Sequence, residues 1–300
     1  METIPWHRGE IALQAAVGAA ARMAEIGPRV IRGHLIAQHA AFFPLLPFVV
    51  LGTVDDTGAP WATLRAGPPG FLHAPDPYHL AVRAPREPGD PAEAGLADGA
   101  AVGLLGIELA TRRRNRLNGT VQRRDEAGFA IAVEQSFGNC PRYIEPRPAD
   151  YSGAGGPHAA PVASDRLDGR ARALVTGADT LFVASYAETE AGRQVDVSHR
   201  GGARGFVRVG ADGTLTVPDY AGNRFFNTLG NMAANPRAGI AVPDVATGDL
   251  LQITGRTALV LEGPEIGAFA GAERLWRLVP ERVVFRAGAL PLRFGTAGEG

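Results

Sequence analysis

The chain has 300 residues, 45% of them hydrophobic and 20% charged, with a formal net charge of -1. That length suits two domains, and that composition can bury two cores, which excludes a disordered protein. The charge balance gives no general reason to expect nucleic acid or an anionic membrane as partner, and the single cysteine, Cys140, excludes an internal disulfide and a cysteine zinc cluster.

No apolar run reaches the length of a membrane span, and residues 1–7 lack the basic and apolar regions of a secretory signal, so the expectation is a cytoplasmic protein. Residues 10–26 predict a helix with Leu13, Val17, Ala20 and Met23 along one side, stopped by Gly27-Pro28. Residues 29–43 predict a second helix, ended by Pro44 and Pro47. His34 and His39 miss the i, i+4 spacing of a helical metal pair, and packing or capping is the preferred reading. No metal site is expected.

From Phe48 the pattern changes to short strands, predicted at 48–54, 60–65, 78–82, 101–107, 114–121 and 129–133. Asp55-Asp-Thr-Gly58 and Gly67-Pro-Pro-Gly70 are turns, and 85–99 holds a short helix. Residues 146–172, rich in Pro, Gly and Ala, predict a linker, mobile around 152–157. Strands return at 180–185, 194–198, 205–209 and 214–217, then a helix at 223–234 and strands at 237–242 and 250–257. The partition expected is a helical segment (1–40), a first barrel (41–145), the linker, a second barrel (173–262) and a C-terminal helix and strand (263–300). Gly271-Ala-Glu-Arg-Leu-Trp-Arg277 and Ala289-Leu-Pro-Leu-Arg293 carry that last pair.

The second half repeats the first. Gly58 aligns with Gly192, Gly70-Phe71 with Gly205-Phe206, Ala101-Val-Gly-Leu104 with Arg237-Ala-Gly-Ile240, and Leu117-Asn-Gly119 with Ile253-Thr-Gly255. The offset drifts only from 134 to 136, which predicts a genuine duplication of an all-β meander with one helix, of a size that closes into a small barrel.

Chemistry concentrates where the halves differ. Asp196-Val-Ser-His-Arg-Gly-Gly202, running on to Phe206, offers cations, a hydroxyl and approachable backbone, and reads either as an anion-binding loop or as a tight hairpin with a solvated surface. Its first-half counterpart, Arg65-Ala-Gly-Pro-Pro-Gly70, lacks the Ser-His-Arg group. Asn227 and Asn231 share a helix face, either for a ligand or as capping and solvation. Among Arg112-Arg-Arg-Asn-Arg116, alternate arginines point to opposite sheet faces, so one or two, Arg114 among them, reach a shared site unless the run is only solvated. In Gln135-Ser-Phe-Gly-Asn-Cys-Pro-Arg-Tyr-Ile144, Asn139 sits in a turn. Cys140 has no adjoining His–acid pair and reads as a small packed residue rather than a nucleophile. H-E-x-x-H, G-x-S-x-G, Walker and G-x-G-x-x-G motifs are absent.

Asp196-Val-Ser-His-Arg-Gly-Gly202 with Gly205-Phe-Val-Arg208, Phe226-Asn-Thr-Leu-Gly-Asn231 with Asn235-Pro-Arg237, and Phe137-Gly-Asn-Cys-Pro-Arg-Tyr-Ile144 resemble signatures of the pyridoxamine 5'-phosphate oxidase-like, FMN-binding split-barrel family. Pro60-Trp-Ala-Thr63 and 107–116 resemble first-half signatures of a two-repeat branch. The resemblance implies a mainly β fold of two tandem split β-barrels forming a pseudo-dimer, with FMN at their interface. It implies an oxidoreductase acting on a small-molecule substrate, supplied with electrons by NAD(P)H or a separate reductase. A flavin carrier without turnover, or a haem- or deazaflavin-binding protein, is the alternative, and homodimerisation is left open.

The cofactor residues implied are Asp196, Val197, Ser198, His199, Arg200, Gly201, Asn227, Thr228 and Asn231, with Arg114 and Asn139 from the first half. His199 is the candidate acid or base, or else a hydrogen-bonding partner of a phosphate or a backbone carbonyl. Relatives carry an Arg-Lys pair where this chain has Asn227-Thr228. With that pair gone and the chain doubled, true pyridoxamine-phosphate oxidation is not expected.

Overall fold

The computed structural model describes residues 5–123, 125–153 and 159–295. Three helices open the chain: α1 (Arg8–Ala16), α2 (Ala20–Val30) and the single turn α3 (Ala37–Ala40). The helix predicted at 10–26 is thus two, broken at Gly18, whose φ is +66°. Gly27-Pro28 does not stop α2, which runs to Val30; Gly27 is needed there because Trp6 packs against it. The helix predicted at 29–43 shrinks to α3 and a 3-10 turn, since Arg32 bridges to Ser136 in the first sheet.

The first unit comprises β1 (Phe48–Val54), β2 (Pro60–Ala66), β3 (Leu72–Asp76), β4 (His79–Val82), β5 (Ala101–Glu108), β6 (Arg113–Arg123) and β7 (Phe129–Gly138), in sheet order β2-β1-β5-β6-β7-β4-β3. The expected linker carries structure: β8 (Ala149–Tyr151), β9 (Val162–Ser164) and the start of α4 (Gly169–Gly177). The part of its predicted mobile stretch at 154–157 lies outside the described residues.

The second unit comprises β10 (Thr180–Thr189), β11 (Gly192–Gly201), β12 (Arg208–Val209), β13 (Leu215–Tyr220), α5 (Asn227–Ala234), β14 (Arg237–Pro243), β15 (Leu250–Val260) and β16 (Ala272–Arg286). Its order, β11-β10-β14-β15-β16-β13-β12, is the first order strand for strand, and β9 adds to β16. The last strand, β17 (Leu292–Phe294), pairs with β8. The helix expected around 271–277 is therefore the first half of β16. Leu275 and Trp276 are both buried there, and burial on both faces overrides the helix-forming composition.

The duplication extends to irregularities. Register shifts at Asn118/Gly119 in β6 and at Thr254/Gly255 in β15, each at a glycine pressed against the next strand's backbone. Gly70 and Gly205 both have φ of +84° at the same turn.

Two-residue periodicity divides the apolar side chains. Val49 and Leu51 of β1 enter the first barrel's core, while Phe48 and Val50 face the second unit. Leu181 and Val183 of β10 fill the second barrel, while Phe182 and Ala184 join Phe48 and Val50 in a core between the units. Each large apolar side chain buried there contributes about 1.5–3 kcal/mol. Close approach is set by glycine: a Cβ on Gly103 would lie 2.9 Å from the Asp196 Cα, and one on Gly239 would lie 2.8 Å from the Trp61 Cα. The two contacts are the same contact seen from each unit.

Candidate functional site

Ser198, His199 and Arg200 lie on β11 rather than in a loop, and only from Gly202 does the chain turn. Position on a strand alternates their directions. His199 meets Phe182 edge-on at 5.7 Å, between the units. Ser198 faces Arg116, which comes across from β6: the guanidinium donates to Ser198 Oγ at 2.6 Å and to Asn227 Oδ1 at 3.0 Å, and pairs with Asp196 at 2.9 Å. Ser198 Oγ is also 2.7 Å from Thr228 Oγ1. Arg116 therefore places a cation against the Asn227-Thr228 pair, and it comes from the other unit.

These elements wall a solvent-open cleft with a cavity volume of about 110 Å³. Of the expected residues, Arg114, Asn139, Ser198, His199, Arg200, Gly201, Asn227 and Thr228 line it together. Three do not. Asp196 stands behind Arg116, Val197 is in the core between the units, and Asn231 turns to His7 Nε2 (2.8 Å) and Ser185 Oγ (3.1 Å). Cys140 is half-buried on the cleft wall, and its carbonyl accepts from Arg114.

Six arginines but one carboxylate, Asp219, line the cleft, and Asp219 is 3.8 Å from Arg200. Arg114 is pushed down to about 10 by burial and by Arg116 and Arg200, yet stays charged at neutral pH. His199 is 3% exposed, and neither ring nitrogen has a protein partner; Arg114 Nε, Arg200 Nε and Asn139 Nδ2 are likewise buried and unmatched. Burial, then Arg114, Arg200 and Arg147, hold the imidazole well below its ordinary pKa. It is neutral at pH 7, with one N–H to donate and one nitrogen to accept. The neutral-pH proton exchange expected of it from residue type is therefore removed by its surroundings.

Backbone strain gathers here. Among the described residues, the non-glycines with positive φ are Arg112, Tyr143, Arg224 and Phe226, and the last three line the cleft. Tyr143 spans the units: its ring stacks on Tyr220 at 5.0 Å and its hydroxyl donates to the Ala221 carbonyl at 3.0 Å.

The N-terminal arm was not anticipated at the site. Glu10, 4% exposed, accepts from Asn227 Nδ2 at 2.5 Å and from the His7 N–H at 2.9 Å. Burial raises its carboxyl to about 8, against the opposing effect of those two donors. Gly9 and Gly230 let α1 and α5 touch. A Glu three residues after His7 is capping-box spacing, the one signal in the sequence for this helix start.

Residues 35–162 match the family described as Pyridoxamine 5'-phosphate oxidase. A comparison with curated protein sequences finds no match. Among solved structures, HupZ of Group A Streptococcus is 16% identical, aligning 44% of this chain with 99% of its own at a TM-score of 0.32. HutZ, the haem storage protein from Vibrio cholerae, is 16% identical over 41% of this chain and 96% of its own, at 0.29. A putative pyridoxamine 5'-phosphate oxidase from Corynebacterium glutamicum is 17% identical over 46% and 96%, also at 0.29. Scores this low carry no argument about ligand or reaction. The first unit, within residues 35–162, thus matches the Pyridoxamine 5'-phosphate oxidase family, and the second unit repeats its sheet order.

Proposed function

We propose that the cleft between the units binds FMN and that the protein is a flavin-dependent oxidoreductase acting on a small molecule in the cytoplasm. The observation that carries this is the set of buried, unmatched nitrogen donors on Arg114, Asn139, His199 and Arg200, drawn from both units and facing one cleft. Buried donors without acceptors are costly, and a phosphate monoester supplies acceptors that carry charge. The residues fit the group: Arg200, Arg114 and Asn139 would hold its phosphate, and neutral His199 would donate one hydrogen bond and accept another. The bound flavin supplies the redox chemistry, while the protein orients it and limits water. NAD(P)H or a separate reductase is the electron source in this reading.

The neutral state of His199 favours a second reading, a flavin carrier without turnover, because that group then moves no proton near pH 7. The deciding experiment is the absorption spectrum of the purified protein, with mass identification of what denaturation releases. Flavin bands with FMN released support the proposal; a haem Soret band, or no chromophore and no FMN binding on addition, sinks it. Bleaching by NAD(P)H and reoxidation separate enzyme from carrier. Arg200→Ala is expected to lose the flavin while keeping the fold.

A further inference from the structure

The pseudo-twofold relation gives the cleft a twin on the opposite side of the interface. Strand register equates Ser198 with Thr63, Arg200 with Arg65, Arg116 with Gln252, and Gly138, the residue before Asn139, with Phe285, the residue before Arg286. The 3-10 turn Pro91–Gly95 stands where α5 stands in the second unit, since both lie between the fourth and fifth strands. At its start Asp90 accepts from the Ala92 N–H at 2.9 Å. At the start of α5 the same place is taken by Phe226, left-handed and without a side-chain cap.

At the twin site the chain's own side chains fill the place, with Arg65 and Asp90 both buried. Arg65, 1% exposed, pairs with Asp90, with Glu93 at 2.9 Å and with Glu87 at 3.5 Å. Asp90 also meets Arg286 at 3.1 Å, Thr63 Oγ1 at 2.5 Å and Gln252 Nε2 at 2.8 Å. The carboxylates answer the cations: Asp90 stays below the usual carboxylate range, despite burial, because of Arg65 and Arg286. On the open side Arg200 has Asp219 at 3.8 Å, and the residue matching Asp90 is apolar.

We infer that Asp90, backed by Glu87 and Glu93, is a built-in anion occupying the twin site, so that each chain takes one external anionic ligand and takes it at the open cleft. A symmetric pair of barrels would present two equivalent sites. Here one cation cluster is satisfied from within and the other from without. The choice of FMN as probe rests on the proposed function; the inference about internal and external anions does not.

Equilibrium dialysis of the ligand-free full chain against FMN is expected to give one FMN per chain, and two would overturn the inference. No FMN binding by a folded chain sinks the flavin reading alone, because inorganic phosphate provides an independent arm. In crystals soaked with phosphate, the ion is expected against Arg200 and Arg114. Phosphate against Arg65 and Arg286 in the unaltered protein, or at neither place, overturns the inference. The triple variant Asp90→Asn, Glu87→Gln, Glu93→Gln is expected to gain phosphate at Arg65 and Arg286; a folded triple variant that leaves this place empty while the open cleft fills overturns it. Should the triple variant fail to fold, Arg65→Met decides. Unchanged affinity for FMN or phosphate supports the inference, and a tenfold loss in the folded variant overturns it.

Discussion

Arg116 and Asp196 pair at 2.9 Å across the two units, and both are almost fully buried. Replacing Arg116 by Met would leave Asp196 without its cation and Ser198 and Asn227 without a donor. Breaking a buried pair from one side costs about 3–5 kcal/mol. The expectation is a loss of that order in denaturant unfolding, with Asp196→Asn added to Arg116→Met recovering part of it. An unchanged midpoint for Arg116→Met would show that the pair contributes nothing to joining the units.

Arg114 donates to the Cys140 carbonyl but keeps Nε unmatched beside the cleft. Arg114→Ala is therefore expected to weaken ligand binding more than folding. A charge-assisted contact contributes about 1.5–3 kcal/mol, or about 10- to 150-fold in Kd. Fluorescence titration with FMN beside a thermal melt tests this. A large fall in Tm with unaltered Kd would reassign Arg114 to a purely structural role.

Glu10 couples the N-terminal arm to pH. Its carboxyl is at about 8 in the folded chain, against 4.5 ordinarily. A raised carboxyl keeps its full stabilising contribution below the unfolded value and loses it as pH rises through the folded one. Stability of the α1–α5 contact should thus fall from about pH 5 to about pH 8. Glu10→Gln should flatten that part of the profile, with its melting temperature above that of the parent at the alkaline end. About 2–4 °C accompanies each kcal/mol in a chain of this size. Parallel pH profiles for parent and variant would rule the coupling out.

Gly103 and Gly239 each admit the opposing unit's backbone, which a Cβ on Gly103 would meet at 2.9 Å and a Cβ on Gly239 at 2.1 Å. Gly103→Ala should therefore destabilise by about 1–3 kcal/mol, and Gly239→Ala by more. Chemical denaturation of both variants checks it. A harmless substitution at either position would break the equivalence of the two contacts.

Much of the fold could be read from short-range signals. Gly58, Gly70, Gly192 and Gly205 all adopt positive φ, so turn chemistry alone marks the repeat. Arg114 and the Ser198–Gly201 group stand out in the sequence because the halves differ there, and Asn139 because it sits in the Gly138-Asn139 turn. The rest depends on contacts far apart in sequence. Glu10 lies 217 residues from Asn227, and no local pattern announces that hydrogen bond. Arg65 reads as a remnant of a lost motif until Asp90 and Arg286 are seen around it. Residues 272–278 have a helix former's composition, and only burial between β13 and β15 makes them a strand.

Covalent fusion is what allows Asp90 to exist in its present place. In an assembly of two identical chains, every residue is inherited twice, and a carboxylate that closed one recess would close its mirror image as well. Writing the two copies in one chain frees them from that bond. One recess has become a rivet of opposite charges holding the halves together, and the other still turns its arginines toward a cleft. Division of labour of this kind is closed to any protein whose halves share a single coding copy.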